Sequence, residues 1–127
     1  DVTTFISQIK DECELYEKSL DCHFTLSNNF YKSFFSGLPK VYKAKNYKRI
    51  PKELPILLIA GDGDPVGGYG KLVDKLYRFY KVTVGVRSVE KIIYPEVRHE
   101  YLNDTVREEV RGEIAAFAEA IAIRPND

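Results

Sequence analysis

The sequence predicts an α/β fold in which a helical first third precedes a strand, a helix, a strand and a final helix on a parallel sheet. Three observations carry that prediction. Residues Leu54 to Ala60 form a continuous apolar run ended by Gly61, the pattern of a strand covered by helices on both faces, which leaves no position for a polar residue. Leu72, Val73, Leu76, Tyr77, Phe79 and Tyr80 then recur at helical spacing. Val89 to Tyr94 reads as a second strand, closed by Pro95, which has no N–H for a ladder and drives Tyr94 to extended geometry. Parallel pairing with a right-handed crossover is the default for this order.

Taken from the start of the chain, Phe5, Ile9, Cys13 and Tyr16 fall at i, i+4, i+8 and i+11, one face of a helix. Asn28 or Asn29 is placed to cap a second helix, in which Phe30, Phe34 and Phe35 form a bulky apolar face ended by Gly37 and Pro39. Such a face either packs into a core or walls an apolar ligand site. Lys40, Lys43, Lys45, Lys48, Arg49 and Lys52 are interrupted by Val41, Tyr42, Tyr47 and Ile50, and read as a solvated linker rather than a phosphate-binding stripe. The chain thus divides into a helical segment over 1–45, a basic linker over 46–53 and a strand–helix–strand–helix portion over 54–127. Within the last, Asp62-Gly63-Asp64-Pro65-Val66-Gly67-Gly68 is a tight turn. Val82, Val84 and Val86 alternate, yet they directly follow a helix and read as its end plus a loop. After a loop containing His99, Thr105-Val106-Arg107-Glu108 has capping-box spacing, and Val110, Ile114, Phe117 and Ile121 form the buried stripe of the final helix.

Composition bounds the function. At 127 residues one domain is expected. With 19 basic and 19 acidic residues and no net charge, the chain lacks the basic footprint of a nucleic-acid-binding domain. Its apolar runs fall far short of the roughly 20 residues of a membrane span, and no signal-peptide pattern opens it, so a cytoplasmic location is expected. Cys13 and Cys22 have no CxxC spacing and read as free thiols of a reducing compartment. His23 and His99 are too few to suggest a metal site, and no cofactor is expected. The chain begins at Asp1 and contains no methionine, so it is expected to be the later portion of a longer protein.

Ligands and catalytic groups gather at the carboxyl ends of strands in open parallel sheets. Asp64, four residues past Ala60, and His99, five past Tyr94, occupy those places. A carboxylate beside an imidazole fixes its tautomer and prepares a general base. On spacing alone the alternative stands level: Asp64 caps the helix ahead and His99 sits on a polar surface loop.

The segment Leu54-Pro55-Ile56-Leu57-Leu58-Ile59-Ala60-Gly61-Asp62-Gly63-Asp64-Pro65-Val66-Gly67, with Tyr94-Pro95 and Arg98-His99-Glu100, resembles the C-terminal part of an α/β-hydrolase. The type it resembles is that of the serine aminopeptidases and monoacylglycerol lipases, often called lysophospholipase-like. The resemblance runs from about Asp11 to the end of the chain. It implies the C-terminal βαβα part of an α/β-hydrolase parallel sheet preceded by a helical lid segment, with Asp64 as triad acid and His99 as triad base. The stretch from Thr25 to Lys43 is similar to the family's lid, which implies that Phe30, Phe34 and Phe35, with Val66, line an apolar tunnel for an acyl chain. The implied substrate is a small lipid-like ester, a monoacylglycerol or lysophospholipid.

The family's nucleophile is a serine in a G-x-S-x-G elbow, preceding the acid and the base in the chain. Ser7, Ser19, Ser27, Ser33, Ser36 and Ser88 all lack the flanking glycines. The chain is therefore expected to be inactive alone and to need the missing N-terminal half of the same protein for its nucleophile and oxyanion donors. A different class of function is a non-catalytic interaction module, self-associating into a homo-oligomer through an exposed sheet edge and the apolar lid face.

Overall fold

The apolar run and the valine-started run pair as parallel strands in a computed structural model that describes residues 3–22 and 24–123; His23 and both chain ends lie outside the described residues. Strand β1, Ile56–Gly61, and strand β2, Val89–Tyr94, run in register from Ile56 opposite Val89 to Gly61 opposite Tyr94. β1 starts two residues later than the apolar run, because Pro55 has no N–H and Ile56 makes the first bond, to the Ser88 carbonyl at 3.0 Å. Among the described residues the sheet has two strands. Ile56 to Ile59 are accordingly half-buried rather than enclosed on both faces as the run predicted, since a strand with one partner keeps an open edge.

Side-chain alternation along β1 divides the interior in two. Ile56 and Leu58 pack with Val84, Val86 and Val89 on one face, joined by Tyr47, Ile50, Tyr77, Phe79 and Tyr80. Ile59 packs on the other face with Tyr94, Val97 and Val110, joined by Ile92, Tyr101 and Val106. Helix α4, Lys71–Arg78, links the strands and passes into a π-helical segment, Phe79–Val84, that stops at left-handed Gly85. Val82 and Val84 therefore belong to the helix end, and Val86 to the loop that follows.

The preceding segment departs from its expected boundaries for identifiable reasons. Helix α1 spans Lys10–Lys18 and does not reach Phe5. The Phe5 and Ile6 carbonyls are committed instead to the amides of His99 and Glu100, at 3.0 and 2.8 Å, which removes them from a helical ladder. Helix α2, Asn28–Val41, is capped by Ser27, whose Oγ accepts from the Phe30 amide at 3.2 Å, and not by Asn28 or Asn29. It runs through Gly37 and Pro39. Pro39 denies a donor to the Phe35 carbonyl, a loss that water can make good where Phe35 is 62 % exposed.

The basic linker is partly ordered. Ala44–Tyr47 form the short helix α3, Tyr47 and Ile50 pack on the valine cluster, and the Lys52 carbonyl accepts from Arg87 at 2.9 Å.

Helix α5, Arg107–Ala122, has no side-chain cap. The capping-box reading fails because Thr105 Oγ1 instead accepts from Gln8 Nε2 at 3.3 Å. Its stripe is buried only at Val110; Ile114 is exposed, and Phe117 and Ile121 are half-buried, because beyond Val110 the helix meets only the half-covered sheet through Leu57 and Ile92. Among the described residues no helix is long and apolar enough to cross a membrane, and Cys13 and Cys22 are free thiols.

Candidate active site

The two loops leaving the carboxyl ends of β1 and β2 are laced together before either reaches its ionisable residue. The ladder continues with Asp62 donating its amide to the Tyr94 carbonyl at 3.0 Å, and Gly63 donates to the Val97 carbonyl at 2.9 Å. Asp62 Oδ1 accepts from the Glu96 amide at 2.5 Å, and Glu96 sits at φ +61°, in the left-handed region after Pro95. Gly61 is obligatory here: a Cβ at this position would lie 1.8 Å from the Val97 carbonyl oxygen.

Asp64 follows, 7 % exposed. Its Oδ1 accepts from the Val66 amide at 2.8 Å and its Oδ2 from the Gly67 amide at 3.0 Å. The same Oδ2 lies 3.2 Å from His99 Nδ1. The carboxylate closes a turn, with Val66 and Gly67, and it also faces the imidazole. If Oδ2 accepts from Nδ1–H, the neutral ring keeps a free lone pair on Nε2. The His99 side chain is 41 % exposed and borders a recess of about 260 Å³ with Glu100, Tyr101, Leu102 and Asn103.

Contacts that the sequence patterns did not reveal hold His99 in place. Its amide donates to the Phe5 carbonyl at 3.0 Å, and the Phe5 ring lies 5.8 Å from the imidazole at 48°. The Arg98 guanidinium binds the carbonyls of Thr4 and Ser7, the latter at 2.9 Å. None of these contacts has a local sequence signature, since each joins residues more than 90 positions apart.

The residues expected along the tunnel are divided between different surfaces. Phe30 and Phe34 line an open groove of about 420 Å³ along α2 with Ser33, Gly37, Leu38 and Val41, and its lining includes neither Phe35, Val66, Asp64 nor His99. Phe30 stacks on Phe34 at 5.9 Å, whereas Phe35 stacks on Tyr31 at 6.3 Å, because a helix turns adjacent residues to different faces. Val66 reaches the site through its backbone, its side chain being 60 % exposed.

Three of the serines are engaged in local or packing bonds: Ser7 Oγ donates to the Asn103 carbonyl at 2.8 Å, Ser27 caps α2, and Ser36 Oγ donates to the Lys32 carbonyl at 2.6 Å. Among the described residues no group of three or more His, Cys, Asp or Glu side chains is placed to hold a metal ion.

A parallel strand pair with an aspartate and a histidine in the loops at its carboxyl ends is consistent with part of an α/β fold. A family model, serine aminopeptidase S33, matches residues 1–106, starting ahead of Asp11 and stopping just before α5. No curated protein was found to match the chain significantly. The chain belongs to the serine aminopeptidase S33 family, a family of hydrolases.

Proposed function

We propose that this chain carries the acid, Asp64, and the base, His99, of a Ser-His-Asp hydrolase of carboxylic esters, with the nucleophile and oxyanion donors supplied by sequence outside these 127 residues. The observation that supports it most is the 3.2 Å approach of Asp64 Oδ2 to His99 Nδ1, between loops of adjoining parallel strands. In the reaction, His99 Nε2 takes the serine hydroxyl proton as Oγ attacks the ester carbonyl. The tetrahedral intermediate then expels the alcohol, which leaves with that proton, and an acyl-enzyme remains. His99 next deprotonates water, whose attack releases the carboxylic acid and restores the serine. Asp64 holds the Nδ1–H tautomer and stabilises the imidazolium formed twice in the cycle.

The stretch from Thr25 to Lys43 serves as lid. The groove beside Phe30 and Phe34, almost wholly apolar, suits the acyl chain of a monoacylglycerol or lysophospholipid. Phe35 and Val66, both exposed, extend that apolar wall once the remainder of the site is in place.

The test is to incubate the purified chain, alone and beside the complete protein, with a fluorophosphonate probe and a short p-nitrophenyl ester. The expected result is labelling and turnover by the complete protein alone. Labelling of the 127-residue chain that disappears on His99→Ala would contradict the external nucleophile.

A further inference from the structure

One buried carboxylate has no part in the chemistry above. Asp104 is fully buried, at 0 % exposure, and among the described residues every hydrogen bond to its carboxylate comes from backbone N–H. Oδ1 accepts from Gln8 at 3.1 Å and from Thr105 at 2.7 Å. Oδ2 accepts from Arg98 at 2.9 Å. Burying a carboxylate is costly unless its lone pairs are filled, and here they are filled by three separate stretches of chain: the N-terminal segment, the residue immediately before His99, and the residue leading into α5.

Resting on the reading of Asp64 and His99 as acid and base, we infer that Asp104 is the positioning residue of the base. It pins the Arg98 amide, while the adjoining His99 and Glu100 amides are pinned by the Phe5 and Ile6 carbonyls. The N-terminal segment is held against the loop in turn, through Gln8 on Asp104 and through Ser7 Oγ on the Asn103 carbonyl. The backbone on both sides of His99 is thereby fixed, so the ring meets Asp64 Oδ2 without searching.

Both carboxylate oxygens of Asp104 are needed as acceptors. An asparagine has one acceptor and one NH₂. With its carbonyl oxygen at the Oδ1 site it retains Gln8 and Thr105, and its NH₂ then faces the Arg98 N–H donor to donor. The bond lost is the one next to the base.

NMR of the full 127-residue chain tests this, because a chain with two histidines has imidazole signals that His99→Gln assigns at once. Long-range ¹H–¹⁵N spectra report the His99 tautomer, and amide exchange reports Arg98. In Asp104→Asn the Arg98 amide is expected to exchange about tenfold faster, the effect of losing a bond to a charged acceptor, and the His99 Nδ1–H tautomer to lose its excess. Val84→Ala, in the buried cluster on the other face of β1, is expected to lower stability while leaving the His99 tautomer as in the wild type. An unchanged tautomer in Asp104→Asn, or an equal change in Val84→Ala, overturns the positioning role. Should Asp104→Asn not stay folded, the wild-type chain decides: the Arg98 amide must be protected like those of β2, and exchange as fast as an exposed loop amide overturns it. Asp64→Asn separates the two claims. A His99 tautomer indifferent to Asp64→Asn rejects the acid–base pair itself, whatever Asp104→Asn does.

Discussion

Replacing Gly61 by alanine probes the lock between the acid-bearing and base-bearing loops. The added Cβ falls 1.8 Å from the Val97 carbonyl oxygen and 2.3 Å from its carbon, where ordinary contact begins at 3.4 Å, so the carbonyl must retreat by about 1.6 Å. Backbone atoms of a strand end and a laced loop cannot rotate away as a side-chain tip would. Retreat breaks the Gly63 amide bond to Val97 and strains the Asp62 bond to Glu96. The lost bond costs about 1 kcal/mol and the overpacking about 1–3 kcal/mol. Together they remove roughly 2–4 kcal/mol, a fall in melting temperature of about 8–16 °C at roughly 4 °C per kcal/mol for a chain of this size. Thermal and urea unfolding followed by far-UV circular dichroism measures it. Since Val97 lies two residues before His99, a shift of about 1 Å passed on to the ring also lowers turnover of the complete enzyme by about 10². A Gly61→Ala chain that melts within about 2 °C of the wild type refutes the close approach on which the loop geometry rests.

Gly112→Ala is the opposite case: the position lies inside α5 with nothing within 4 Å of an added Cβ, and the change is expected to stabilise by about 0.5–1 kcal/mol in the same unfolding experiment. Tyr94 governs an alkaline limit. Burial, then the charges of Glu109 and Glu113, raise its phenol above the ordinary 10.0, so the unfolded chain gives up this proton first and stability falls as pH rises past 10.0 toward the folded value. Tyr94→Phe also removes a buried hydroxyl that lacks a partner, and urea midpoints at neutral and strongly alkaline pH are expected to converge in that variant; an unchanged alkaline loss rejects the assignment. Phe34→Ala in the complete enzyme is expected to raise KM for long-chain esters by about tenfold, the worth of part of a buried aromatic, with short-chain esters unaffected; equal effects on both reject the groove as an acyl site.

Much of the strand framework was legible because its cause is local. An unbroken apolar run ended by Gly61 and a second run closed by Pro95 carry their meaning within a few residues. Asp64 and His99 were legible as a pair because parallel strands bring their carboxyl ends together, whatever the 35 intervening positions contain. The hidden parts depend on distant partners. Phe5 has helical spacing, but its carbonyl is claimed by His99. Thr105 sits where a cap belongs, yet its hydroxyl is taken by Gln8. Asp104 has no pattern around it, and its role appears only when Gln8, Arg98 and Thr105 converge on it. The half-burial of Ile56 to Ile59 in β1 and the open stripe of α5 follow from a sheet with two strands among the described residues, whereas a hydrophobic run records what a strand is suited to meet.

The measurement closest to the central claim is the turnover of the complete enzyme with Asp64→Asn, made alongside its fluorophosphonate labelling and its melting temperature. The asparagine is isosteric and can still accept from the Val66 or Gly67 amide, so the fold is expected to persist. The His99 ring loses the partner that fixes its tautomer, and kcat is expected to fall by about 10³–10⁴ with serine labelling slowed in proportion. A folded Asp64→Asn enzyme that keeps near-wild-type turnover would contradict the assignment of Asp64 as the acid that holds His99.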